Sequence, residues 1–145
     1  MKFAEIILQE IGDTTDAFDW RLTYDSKTQK VYKFSTPENN YEISVDSYPE
    51  WIALHFSIEG AEFNDKFSIT TDEGEQFRVV ATVLEIAEHA WNNRHTMMDG
   101  DTVNGFLIST DHDPRRLRLY KAFIKTQFPN AEMKSSNDTI RVIPT

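Results

Sequence analysis

The sequence predicts an α+β domain on a mostly antiparallel mixed sheet, with a C-terminal half that runs strand, helix, strand, helix, strand. Three observations predict it. Apolar and polar residues alternate with a period of two over much of residues 18 to 58. The period becomes helical after Gly74 and again after Pro114. Between the two helical stretches lies a short apolar strand, Val103 to Ser109. A strand–helix–strand unit returns the chain in its original direction, so one parallel pair is expected inside an otherwise antiparallel sheet.

The elements follow in order. Phe3, Ile7 and Ile11, with Ala4 and Leu8 beside them, repeat at helical spacing and stop at Gly12. Phe18, Trp20, Leu22 and Tyr24 then alternate with polar residues as one face of a strand. A polar turn at Asp25 to Thr28 leads into Lys30 to Ser35, where Val31, Tyr32 and Phe34 favour β structure. Thr36-Pro37-Glu38-Asn39-Asn40 is turn chemistry, followed by Tyr41, Ile43 and Val45 in alternation. After Tyr48-Pro49-Glu50, Trp51 to Ile58 places Ile52, Leu54, Phe56 and Ile58 on one face, and Lys66 to Thr70 supplies Phe67 and Ile69 to a further strand.

The first long helix carries Phe77, Val80, Leu84, Ala87 and Trp91 on one face, leaving a narrow polar stripe of Arg78, Thr82, Glu85, His89 and Asn92. Asn93 to Thr102 is a loop. Asp113 is placed to cap the second helix and Pro114 to occupy its first turn, with Leu117, Tyr120 and Ile124 inward. Two weak strands, Glu132 to Ser135 and Thr139 to Ile143, flank a turn at Ser136-Asn137-Asp138.

All 145 residues fit one domain, and 39% hydrophobic residues with ten Phe, five Tyr and three Trp supply a packed core. The absence of cysteine excludes disulfides, thiol nucleophiles and thiolate zinc sites. No apolar run approaches the roughly 18 to 20 residues of a membrane span. Glu5 and Glu10 interrupt the stretch where a signal peptide would be apolar. The expected location is therefore inside a cell, away from membranes.

Charge is uneven: residues 1 to 74 hold six Lys or Arg against fifteen Asp or Glu, residues 75 to 145 hold nine of each, and the net charge is −9. Such a field repels nucleic-acid phosphates and attracts basic partners. Acidic side chains that merely keep strand faces wet give the same count.

The segment Asp113-Pro114-Arg115-Arg116-Leu117-Arg118-Leu119-Tyr120, together with the element order, resembles the GCN5-related N-acetyltransferases. The resemblance in order covers residues 30 to 143, and that in motif only these eight residues. It implies acetyl-coenzyme A as cofactor, Tyr120 as the acid that protonates the departing thiolate, and backbone N–H groups around Gly74, Gln76, Phe77 and Arg78 as the pyrophosphate cradle. The family's loop is Arg/Gln-x-x-Gly-x-Gly/Ala. Here Thr71-Asp72-Glu73-Gly74-Glu75-Gln76 holds one Gly and three carboxylates, which repel a pyrophosphate, and Ile124-Lys125 replaces the Gly-Phe that follows the tyrosine.

Glu75-Gln76-Phe77-Arg78-Val79-Val80-Ala81-Thr82-Val83 and Arg116-Leu117-Arg118-Leu119-Tyr120 also resemble a group of small accessory proteins of tailed bacteriophages. That likeness implies a viral accessory or virion-associated role and brings no chemistry with it.

Other candidates each have a plain structural reading beside the chemical one. Asp111-His112-Asp113 has metal-ligand types, but adjacent residues of an extended tripeptide rarely converge on one ion. Asp99-Gly100-Asp101 lacks the remaining ligands of a calcium loop and reads as a turn. His55-Phe56-Ser57 is half of a two-histidine phosphoesterase pattern. His89 with Glu85 one turn earlier fits a base and its orienting group, or a solvated helix face. Arg115, Arg116, Arg118, Lys121 and Lys125 form the dense basic segment of an acidic chain that lacks spaced aromatic platforms for nucleic acid. Trp20 and Trp51 are core residues unless their strands expose them.

These readings favour a noncatalytic, phage-encoded protein without a cofactor that binds a host or viral protein through an acidic sheet face. A coenzyme A-dependent N-acyltransferase is the alternative. An acidic mimic of nucleic acid that inhibits a host protein is a third reading.

Overall fold

The alternating half of the sequence folds as a four-stranded antiparallel meander. In this computed structural model, residues 17–37, 39–58, 73–109, 114–136 and 138–144 are described, without the side chains of 73–76 and 114–116. The meander comprises β1 (Trp20–Asp25), β2 (Gln29–Ser35), β3 (Asn40–Ser47) and β4 (Trp51–Ile58). Its turns close by backbone bonds from Ser26 N–H to Gln29 O (2.8 Å), Thr36 N–H to Asn39 O (2.8 Å) and Tyr48 N–H to Trp51 O (2.9 Å). The Ser26 hydroxyl also accepts from the Thr28 and Gln29 amides (3.3 and 3.1 Å), the local bond that makes serine a turn residue.

Helix α1 (Glu73–Asn92) then carries the chain to β5 (Gly105–Ser109), which lies parallel to β4, the crossover that the strand–helix–strand order predicts. Helix α2 (Pro114–Gln127) passes over a strand position to the edge strand β6 (Glu132–Ser135), and β7 (Thr139–Ile143) fills that position. The result is a seven-stranded sheet in the order β1-β2-β3-β4-β5-β7-β6, antiparallel except at β4–β5. Gly105 allows β5 to meet β7, because a Cβ there would lie 2.0 Å from Val142 O.

Both helices cover one face. Ile43, Ile52, Leu54, Phe106, Ile108, Ile140 and Val142 bury there against Val83, Leu84, Ile86 and Ala87 of α1 and Phe123 and Ile124 of α2. Phe77 and Phe123 stack between the helices at 6.3 Å, and Gln127 Nε2 donates to Leu84 O (3.3 Å) and Glu88 Oε2 (2.9 Å). A row of rings crosses the strands, Phe18 to Phe34, Tyr41 and Phe56, at centroid spacings of 6.2, 4.9 and 5.2 Å.

The strands match the alternation closely except at β1. Its register slips between Leu22 and Tyr24, so Thr23 is an extra residue, Tyr24 opposes Val31 on the outer face, and Asp25 opposes Lys30 on the inner. An unbroken alternation would have kept Tyr24 beside Trp20 and Leu22. The expected N-terminal helix at residues 3–11, the strand at 66–70 and the capping Asp113 lie outside the described residues.

Candidate functional site

The polar stripe of α1 is a seat for β1. Phe18 N–H donates to Thr82 Oγ1 (2.8 Å), which donates to Arg78 O (2.6 Å), while the Arg78 guanidinium lies 3.9 Å above the Phe18 ring. One turn further, Trp20 Nε1–H donates to Glu85 Oε1 (2.9 Å). A turn beyond that, His89 Nδ1 and Tyr32 Oη share a hydrogen bond of 2.9 Å, with the Trp20 ring edge-on to both. Glu85 and His89 are thus engaged with different aromatic residues, so the structure does not join them as base and orienting group. The reading of the stripe as a solvated helix face holds for Glu85 and Asn92, which are exposed, and not for Thr82, which is buried, or His89, which is half-buried, because Phe18, Trp20 and Tyr32 are laid over them.

Lys30 extends this cluster. Its side chain faces the core at 1% exposure, and its ammonium donates to Asp25 Oδ1 at 2.7 Å. The β1 bulge is what delivers that carboxylate. Burial, then the nearby Lys30 charge, hold His89 below its ordinary pKa, with Asp25 acting the other way. Burial and the Asp25 charge push the Tyr32 phenol up, so it keeps its proton. Sequence reading missed the cluster because Lys30 looks like any strand lysine until the bulge places Asp25 opposite it.

The other candidates disperse. Tyr120 is 1% exposed within the core, and Phe77 is half-buried against Phe123. Gly74 and Gln76 lie in the first turn of α1. His55 is exposed on the outer sheet face, where its Nε2 is 3.7 Å from Asp46 Oδ2, and Asp46 Oδ1 accepts from Gln29 Nε2 at 2.9 Å. Trp20 is half-buried on the inner face, and Trp51 is half-buried on the outer face beneath the Arg141 guanidinium at 4.9 Å. On α2, Arg118 and Lys125 are exposed and Lys121 half-buried. Asp111 and His112, like Asp113, lie outside the described residues.

The outer sheet face is not acidic. Its described charged residues are Arg21, Lys33, Lys134 and Arg141 against Glu42, Asp46 and Glu132, so the charge excess sits elsewhere in the chain.

Exposed apolar groups gather instead at the end of the sheet where β1 joins β2 and β3 joins β4. Tyr24 (54% exposed), Tyr48 (49%) and Met98 (53%) stand there, the large exposed apolar side chains among the described residues. The turns that carry Tyr48 and Met98 are bonded together. Met98 N–H donates to Lys27 O (2.6 Å), Met98 O accepts from the Ser47 hydroxyl, Ser47 N–H donates to Thr28 O (2.9 Å), and Asn104 N–H donates to Glu50 O (2.8 Å). The loop around Met98 packs tightly: Asp99 has φ 59°, which aspartate tolerates, and a Cβ on Gly100 would lie 1.6 Å from Arg94 O. Asp99-Gly100-Asp101 is accordingly the turn the sequence predicts.

Neither helix among the described residues is long and apolar enough to cross a membrane. Comparison with protein-family profiles, with curated proteins and with solved structures found no match.

Proposed function

We propose that this chain is a noncatalytic, phage-encoded accessory or virion-associated protein that works by binding another protein, of the host or of the virus. The observation that carries the reading is the exposure of Tyr48 and Met98 on turns whose backbones are bonded to one another, with Tyr24 exposed near the same end of β1. Single exposed apolar residues are ordinary, whereas several at one end of a sheet form a contact patch. A rigid patch also loses little conformational freedom on binding. The test is a photo-crosslinking residue at Tyr48 and, as control, at exposed Lys134 on β6. A discrete adduct at position 48 and none at 134 is the expected result; adducts at neither, or equally at both, overturn the reading.

One feature favours the acyltransferase alternative, with acetyl-coenzyme A as its cofactor. The parallel pairing runs from Trp51↔Gly105 to Leu54↔Ile108 and stops, while β4 continues to Ile58. Ligands of parallel strands bind beyond their C-terminal ends at such a point. The side chains available there weigh for the first reading, since Tyr120 is in the core and Arg78 lies over Phe18. Calorimetric titration with coenzyme A separates the two: saturable binding supports the acyltransferase.

A further inference from the structure

The patch at the turn end has a charge pattern as well as apolar content, and the pattern selects a partner. We infer that it docks a protein segment presenting an apolar side chain flanked by lysine or arginine. This rests on the protein-contact reading and adds the chemistry of the partner.

Glu50, Asp99 and Asp101 are exposed on the same connected turns as Tyr48 and Met98, and none of the three has an ion-pair partner among the described residues. The cations nearby are Lys27, which is exposed, and Arg94, whose guanidinium lies 4.0 Å over the Trp91 ring and donates to Trp91 O (2.9 Å). Asp25, also at this end, is paired with Lys30. The surface therefore offers Tyr48 and Met98 on the same turns as three carboxylates that have no ion-pair partner among the described residues. Apolar anchors with a charged rim are how protein interfaces divide affinity from steering.

A second copy of the chain does not suit the surface. In a two-fold pairing the patch meets itself, and the three carboxylates of each copy would find Lys27 as the one fully exposed lysine or arginine described on the facing surface. A nucleic acid or an anionic membrane is repelled for the same reason. A cationic segment gains from each carboxylate without any rearrangement of the turns.

The test is selection of a random-peptide display library on the immobilised full chain, followed by amide-shift mapping of enriched peptides on the isotope-labelled protein. The expected peptides combine Lys or Arg with an aromatic or aliphatic residue and shift the amides of Lys27, Tyr48 and Met98 to Thr102. Their binding weakens roughly tenfold in Glu50→Gln/Asp99→Asn/Asp101→Asn, and similarly on raising salt from about 0.05 to about 0.5 M. Asparagine tolerates the left-handed conformation at position 99, and the amide spectrum of the variant reports whether it is folded. Peptides that are acidic or uncharged but shift the same amides would overturn the charge inference and leave the contact reading standing. Peptides that shift other amides, or no enrichment, would overturn both. Sedimentation of the free protein completes the set: a dimer lost in Met98→Ser would assign the patch to a second copy and overturn the inference.

Discussion

Where β1, its lead-in residue Phe18 and its neighbour β2 meet α1 the contacts are directional: the Phe18 amide on Thr82, the Trp20 indole N–H on Glu85, the Tyr32 phenol of β2 on His89 and the Arg78 guanidinium over Phe18. Where β5 meets the helices the contacts are apolar, with Phe106 fully buried between Trp91 (6.3 Å) and Phe128 (5.5 Å). Both strands lie against the same helical layer. The difference follows from position. A central strand is shielded on both sides and gains from area alone, whereas an edge strand is wet along one side and buries too little to be held by area. Directional bonds fix the edge strand's register, which makes it answerable to single polar changes and to pH.

Phe106→Ala removes a fully buried ring and is expected to lower stability by about 3 to 5 kcal/mol, read from urea unfolding by fluorescence and circular dichroism together. A loss below about 1 kcal/mol would mean that β5 is not part of the central core.

Asp25→Ala probes the polar side. It leaves the buried Lys30 ammonium without its carboxylate, and because Asp25 is itself half exposed the expected cost is about 1 to 3 kcal/mol. Asp25→Ala/Lys30→Met should restore most of it, because an apolar chain of similar length needs no counter-charge. If the double variant stays as unstable as the single one, the bulge serves β1 by its geometry and the ion pair is incidental.

The smallest effect expected is the pH dependence of the latch. The fold holds His89 below its ordinary value, so the neutral imidazole is favoured in the folded chain and protonation opposes folding. Its contribution is therefore complete above about pH 6.5, the unfolded value, and is lost as the pH falls below that through the lower folded value. His89→Gln cannot titrate. Between about pH 7.5 and pH 5.5 the urea midpoint of the parent chain should fall more steeply than that of the variant. Parallel curves would remove His89 from the account.

Much of the fold was legible in the chain order. The alternation over β2, β3 and β4 and the helical period of α1 come from local geometry, since period two and period 3.6 are set by the backbone. That the sheet holds one parallel pair is legible for a topological reason, because a crossover helix restores direction; that the pair is β4 with β5 is not. The roles of single polar residues were much less legible. Arg78, Thr82, Glu85 and His89 form a polar stripe in the sequence whether water or a strand covers it. Tyr24 shares the parity of Trp20 and Leu22, and one extra residue at Thr23 turns it outward.

The sequence by itself determined the described helices and strands, their order, the presence of one parallel pair and which faces of the central strands are apolar, because those follow from hydrophobic period, turn residues and chain direction. Tertiary structure alone decided that a strand lies across the stripe of α1, that Lys30 meets Asp25, and that Tyr24, Tyr48 and Met98 stand at one end. Each of these joins residues far apart in the chain or depends on a one-residue register. Pairings of that kind are set by which distant surfaces pack together, and no local pattern records them.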